Sequence, residues 1–173
     1  MTAPTLTTAR LLLAPHRPSD LPDMAALFGD PGIAAQIGLA PVDREECWKR
    51  LLRYIGHWWT LGYGHWTVRD PATGAFLGEI GLMDSRRASE PSFEGAPEAA
   101  WAFTREAQGQ GYACEACAAM LAWADAHGLG RTVCIIDHAN APSIRLAERL
   151  GYRAAGEVTY RDAPILLFER PAG

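Results

Sequence analysis

The run Gln108-Gly109-Gln110-Gly111-Tyr112-Ala113 constrains this chain more than any other segment. Two glycines flank Gln110 just after a short apolar stretch, and an amphipathic helical pattern opens at once. That arrangement leaves several backbone N–H groups unpaired and pointing together, at the positive end of a helix dipole. Such a nest accepts a phosphate or pyrophosphate. Glycine suits it because side chains would block the close approach. No Lys-Ser or Lys-Thr pair follows Gly111, so the run is not a P-loop, and two glycines of three make a poor dinucleotide fingerprint. The plain alternative is a loop whose glycines only turn the chain.

A second segment lies about thirty residues on: Asn140-Ala141-Pro142-Ser143-Ile144, then Leu150-Gly151-Tyr152. Asn140 suits the N-cap of a helix, with Pro142 in the first turn where a missing N–H costs nothing. Ser143, Leu146, Ala147 and Leu150 stand at i, i+3, i+4 and i+7 and share one face. The leucines turn to the core, so the Ser143 hydroxyl also points inward and needs a partner. A back-bond to the helix carbonyls, a capping role and a bound ligand all meet that need.

The rest of the chain supplies the frame. Thr8 to Pro15 reads as a first strand. Ser19 and Asp20 cap a helix carrying Leu21, Met24, Leu27 and Phe28, which Asp30-Pro31-Gly32 breaks. Asp43 with Glu46 is a capping-box pattern. Behind it Cys47, Trp48, Leu51, Leu52, Ile55, Trp58 and Trp59 recur at helical spacing to about Leu61 and read as core or the rim of a pocket. His65-Trp66-Thr67-Val68 and Phe76 to Leu82 form a hairpin about the Asp70 to Gly74 turn. The polar stretch from Asp84 to Pro97 reads as a loop, and Ala99 to Phe103 as a short strand. A helix through Ala113, Ala116, Cys117, Met120, Leu121 and Ala124 stops at Gly128. Val133 to Ile136 is a covered strand, the Asn140 helix ends at Gly151, and strands near Tyr152 to Tyr160 and Ile165 to Arg170 close the chain.

With 173 residues, 49% apolar and 21% charged, the chain suits one domain over residues 1–173 with a substantial core. It contains no apolar run long enough to span a bilayer, and Met1 to Thr5 does not begin a signal peptide, so a cytoplasmic location is expected. A net charge of −4 argues against nucleic acid and mildly for a cationic partner. Cys114 and Cys117 have C-x-x-C spacing, but both fall inside a predicted helix among alanines. No second pair has zinc-site spacing, so they read as packing residues and no metal site is expected.

Taken together, the two segments resemble the acetyl-coenzyme A site of the GNAT N-acetyltransferase superfamily, whose pyrophosphate loop Gln/Arg-x-x-Gly-x-Gly/Ala is matched by Gln108, Gly111 and Ala113. The element order is also similar. Thr8 to Leu13 resembles the family's opening Thr-Glu-Arg-Leu-x-Leu, Gly78 to Leu82 the end of its Ile-Gly-x-Ile-Gly-Leu, and Glu98-Ala99-Ala100-Trp101 its Glu-Ile-Gly-Tyr. The likeness is greatest to the RimJ/RimL-like branch, whose best-known members acetylate N-termini of ribosomal proteins. Alanines in the fourth strand and the long polar loop before it depart from the pattern.

The resemblance implies an α/β (α+β) fold: a mixed, mostly antiparallel sheet of about seven strands, splayed between strands 4 and 5, with helices on both faces. It implies acetyl-CoA as cofactor and an amine acceptor, either a peptide N-terminus or a small molecule, with no nucleic-acid or membrane partner and a monomeric or homodimeric state. Backbone groups of Ala102, Phe103 and Thr104 would pair with the pantetheine arm, and Gln108, Gly109, Gln110, Gly111, Tyr112 and Ala113 would take the pyrophosphate. Asn140 would reach the arm, and Ser143 would hydrogen-bond the coenzyme sulfur. An N–H near Phe103 is the natural donor to the thioester oxygen. An amine of pKa about 8 to 10.4 is mostly protonated at neutral pH, so a base helps. Glu98 is the first candidate, expected at the mouth of an apolar cleft beside Trp101 and Phe103; Glu79 and His65 are rivals. A non-catalytic acyl-CoA sensor is the alternative.

Overall fold

Asp43 opens the longest helix by accepting a hydrogen bond from Glu46 N at 2.8 Å, and Gly62 ends it in a left-handed conformation. The same logic of caps and breakers sets the other elements. The computed structural model describes residues 3–38 and 40–172. In chain order the elements are β1 (Leu6–Thr7), β2 (Leu12–Pro15), α1 (Leu21–Gly29), α2 (Pro31–Gln36), α3 (Arg44–Leu61), β3 (His65–Arg69), β4 (Phe76–Met83), β5 (Ser89–Glu90), β6 (Glu98–Phe103), α4 (Tyr112–Ala126), β7 (Thr132–Ile136), α5 (Ala141–Arg149), β8 (Arg153–Tyr160) and β9 (Ala163–Arg170).

The strands form one nine-stranded sheet in the order β1-β2-β3-β4-β6-β7-β9-β8-β5. Every pairing is antiparallel except β6 with β7, which run parallel and pair in register at Glu98 and Val133. Beyond that contact the two strands diverge, as the resemblance implied. One face packs on α4 and α5 through Ile80, Leu82, Phe103, Cys117, Met120 and Ala147. The other packs on α1 to α3 through Met24, Phe28, Leu51, Tyr54, Met83 and Ala102. Trp58, Trp66 and Trp123 meet edge to face with centroids 4.6 to 5.3 Å apart, joining α3, β3 and α4. Such pairs contribute about 0.5–1.5 kcal/mol each beyond their burial. Among the described residues no helix is long and apolar enough to cross a membrane.

Four local expectations need correction. The first strand is interrupted between Thr7 and Leu12, because the Thr8 hydroxyl and the Arg10 amide both donate to Glu115 on α4, at 2.6 and 2.9 Å. Asp30-Pro31-Gly32 ends α1 but also starts α2: Asp30 accepts from Gly32 N and Ile33 N, and Pro31 takes the first helical position. The 84–97 loop contributes Ser89 and Glu90 as a short strand beside the end of β8. The aromatic row on α3 splits. Cys47, Leu51, Tyr54 and Trp58 are buried, whereas Trp48, Leu52, Ile55 and Trp59 lie outside.

Candidate active site

Gly109 and Gly111 have φ of +75° and +81°, so both flanks of Gln110 adopt the left-handed conformation that glycine allows. Gly111 stands at the N-cap of α4 and offers no side-chain cap, which leaves the first N–H groups of the helix for another acceptor. A positive charge adjoins them. The Arg10 guanidinium lies 4.7 Å over the Tyr112 ring, donates to Gln110 O at 3.0 Å and pairs with Glu115 at 2.7 Å. In the sequence Arg10 is only part of the opening Thr-x-Arg-Leu, and the fold brings it to the loop a hundred residues on.

The loop closes the end of the gap between β6 and β7. Gln108 Nε2 donates to Phe103 O and to Gln36 Oε1, both at 3.1 Å. Asn140 caps α5 by accepting from Ser143 N at 3.1 Å, and its amide also donates to Gln36 O. Gln36, at the end of α2, thus holds the glycine loop and the α5 cap together, while the Asp30–Arg105 pair anchors the start of α2 to the turn after β6. Nothing local marks Gln36 in the sequence; it is brought there by the fold.

Of the three residues expected to pair along β6, one faces the gap. Thr104 N donates to Leu77 O at 2.9 Å, on the β4 side. Antiparallel pairing alternates, so Ala102 also turns its backbone groups to β4, while Trp101 and Phe103 turn theirs toward the gap. The Phe103 carbonyl is taken by Gln108, which leaves its N–H. Ala102 and Thr104 are therefore corrected as backbone partners for a ligand arm.

Ser143 lies on the opposite lip. Its partner is none of those foreseen from the helix alone: Trp101 Nε1–H donates to Ser143 Oγ at 3.2 Å. An indole only donates, so the hydroxyl accepts and keeps its own proton for another group.

The two carboxylates stand on the α1–α3 face. Glu98 is buried, with both oxygens held by Arg87 at 2.6 and 2.8 Å. Side chains alternate along a strand, so Trp101 and Phe103 project to the other face, and the expected apolar setting beside them is corrected. The Arg87 guanidinium also lies 4.7 Å over the Tyr160 ring. Glu79 is the cross-strand partner of Ala102, four pairs along from Glu98, or about 13 Å at the usual strand rise.

Around Glu79 gathers a buried cluster in which Tyr54 and His16 join the two candidates, Glu79 and His65, that the sequence offers. Tyr54 donates to it at 2.8 Å, and His16 Nε2 and His65 Nδ1 approach to 3.4 and 3.6 Å. Those imidazole separations are ion-pair distances with no hydrogen bond formed, and Glu79 Oε2 lacks a donor. The His65 ring stacks on Tyr54 with centroids 4.1 Å apart and lies over Gly81, where a Cβ would strike it. Burial pushes the Glu79 carboxyl up, but the two imidazoles outweigh it and hold the group well below the ordinary range. Burial lowers His65. His16 Nδ1 faces the His65 carbonyl at 3.3 Å, and a carbonyl only accepts.

Cys117 is fully buried in the core and Cys114 partly so, in keeping with packing; burial pushes the Cys117 thiol up.

A splayed sheet with a glycine nest at its fork defines a class. Residues 10–153 match the Acetyltransferase (GNAT) domain, and the chain belongs to that family of acetyltransferases. It is 32% identical over 112 residues to the protein YkkB of Bacillus subtilis (strain 168), a match covering 63% of each chain. A GnaT-family acetyltransferase of Bordetella pertussis is 36% identical, with 97% of this chain and 99% of that one covered and a TM-score of 0.84. The fold is shared with two more distant structures. RimL, the ribosomal L7/L12 α-N-protein acetyltransferase in complex with coenzyme A, is 16% identical with a TM-score of 0.78, covering 97% of this chain and 98% of that one. Spermidine N-acetyltransferase of Vibrio cholerae is 17% identical with a TM-score of 0.75, covering 95% and 97%.

Proposed function

We propose that this protein transfers the acetyl group of acetyl-CoA to a primary amine, either a protein α-amine or a small-molecule amine, in the cytoplasm. One conjunction carries the reading: an uncapped glycine nest at the fork of β6 and β7, with Ser143 on the far lip. The residues fit the coenzyme. Gly109 to Ala113 offer N–H groups at a helix N-terminus for the pyrophosphate, with Gln108 and Tyr112 shaping the loop. Asn140 stands where the arm would enter. The coenzyme supplies an activated thioester carbonyl and a thiolate leaving group.

The chain's own groups do the rest. The Phe103 N–H faces the gap and is placed to donate to the carbonyl oxygen as charge develops there. Ser143, oriented by Trp101, keeps a hydroxyl proton with which to hydrogen-bond the departing sulfur and steady its charge. The amine must lose a proton. Of the two carboxylates on the α1–α3 face, Glu79 adjoins Ala102 and has an oxygen without a donor, whereas both oxygens of Glu98 are held by Arg87. The geometry favours Glu79, backed by His16 and His65, over the Glu98 that sequence reasoning put first. The names of the RimL and spermidine enzymes span both acceptor classes, and the net charge of −4 suits a cationic one.

The test is an acceptor panel of N-terminal peptides, polyamines and aminoglycosides, with thiol detection of released coenzyme A. Acetyl-CoA-dependent release with at least one primary amine is expected. No release with any amine, despite tight acetyl-CoA binding, would leave a coenzyme-binding sensor.

A further inference from the structure

The interruption of the first strand leads to the glycine nest. Between β1 and β2 the chain leaves the sheet and closes on the N-terminus of α4. There Glu115 accepts from the Thr8 hydroxyl, the Arg10 amide and Arg10 Nε at 2.6, 2.9 and 2.7 Å, and Arg10 Nη2 pairs with it at 2.7 Å. The Thr8 hydroxyl also accepts from Leu11 N at 3.0 Å, which fixes the turn itself. Held on that edge, the guanidinium lies over the Tyr112 ring and aims Nη1 at the Gln110 carbonyl, 3.0 Å away.

We infer that Arg10 is a positioning residue for the coenzyme pyrophosphate: it sets which way the Gln110–Gly111 peptide points and neutralises Glu115 beside the nest. The inference rests on the coenzyme site proposed above and adds to it a residue from outside the loop. A trans peptide directs its C=O and N–H to opposite sides. With the Gln110 carbonyl drawn to Arg10, the Gly111 N–H faces away from the guanidinium, at a helix end that no side chain caps. Gly111, at φ +81°, tolerates other orientations of that peptide as well, so the loop sequence alone does not choose between them. Arg10 makes the choice.

Charge gives the second argument. Glu115 stands in the first turn of α4, about 6 Å along the axis from Gly111 at the usual helical rise. The Thr8 hydroxyl and Arg10 hold its carboxyl below the ordinary range, so it is ionised at neutral pH. Alone it would repel a second anion at the same helix end. The Arg10 guanidinium cancels that charge at contact distance.

Calorimetric titration with coenzyme A tests the inference without relying on turnover. Arg10→Ala should raise Kd about tenfold, the scale of one lost charge-assisted hydrogen bond. S-acetylpantetheine, which ends at the hydroxyl where the pyrophosphate begins, separates positioning from folding. Arg10→Ala should leave kcat/KM with that donor unchanged while lowering it with acetyl-CoA. An unaltered Kd for coenzyme A overturns the inference and leaves the proposed activity standing. Equal losses with the two donors would mean a general structural defect and overturn it too. A parent protein that binds no coenzyme A would overturn the coenzyme site itself, and the inference with it. Adding Glu115→Gln to Arg10→Ala removes the bare carboxylate and should recover part of the affinity; no recovery overturns the role given to charge.

Discussion

The Trp101 indole donates to the Ser143 hydroxyl at 3.2 Å across the fork where β6 leaves β7, and so fixes which way the serine can give its proton. The two residues lie on different elements, a strand and the first turn of α5. If the serine steadies the leaving thiolate, Ser143→Ala should lower kcat roughly tenfold or more with little change in KM for acetyl-CoA. Trp101→Phe keeps the ring packing and removes the donor, and should give a smaller fall in kcat. Steady-state kinetics with one acceptor decide it; equal kcat in all three proteins would reduce Ser143 to a packing residue.

Gly111→Val tests the phosphate nest. Acetyl-CoA, and not NAD, should raise the melting temperature of the parent protein, and the valine should abolish that rise. A β-branched residue at φ +81° is also strained, at a cost of about 1–3 kcal/mol. Gly111→Asn, which tolerates the left-handed region, is therefore the companion variant. An undiminished ligand shift in both would move the pyrophosphate elsewhere.

The choice of base can be read from pH profiles. With a single amine acceptor, Glu79→Gln should lower kcat/KM throughout the neutral range without moving its rising limb, because a carboxyl held below the ordinary range is already ionised there and the limb is the amine's own. Glu98→Gln should leave kcat/KM in place but lower stability, since Arg87 loses its buried partner, a change that typically costs about 3–5 kcal/mol when an ion pair is broken from one side. The reverse pattern would return the proton to Glu98.

Glu79 also makes a prediction about acid stability. Its carboxyl is held below the ordinary range in the folded chain, so it contributes stability that is fully present above the unfolded value of about 4.3 and is lost as pH falls through the folded value. Below pH about 4.3 the melting temperature should drop more steeply in the parent than in Glu79→Gln. Parallel curves would mean that the carboxylate is not held by its imidazole neighbours.

Asn140 has two jobs that two substitutions separate. Asn140→Ala should cost about 0.5–2 kcal/mol by removing the cap. Asn140→Ser should restore the cap without the amide that reaches Gln36 O. Calorimetric titration with acetyl-CoA should show weaker binding for both variants; full affinity in the serine variant would assign Asn140 to capping alone.

What the sequence determined was local. The glycine loop, the Asn140 cap, the inward turn of Ser143, the hairpin about Asp70 to Gly74 and the order of the longer strands and helices all rest on dihedral preferences, caps and periodicity within a few residues. These are properties a segment carries wherever it sits. Tertiary structure decided whatever depends on residues far apart in the chain. Arg87 occupies both oxygens of Glu98, and His16 from the connection after β2, Tyr54 from α3 and His65 from β3 converge on Glu79. Gln36 joins two site segments that periodicity cannot relate. On α3, periodicity finds two apolar stripes but cannot tell which is buried, because that depends on where the sheet lies; Tyr54 went inward and Trp59 outward. An ionisable group's chemistry is set by its neighbours within a few ångströms, and only the folded chain supplies those neighbours.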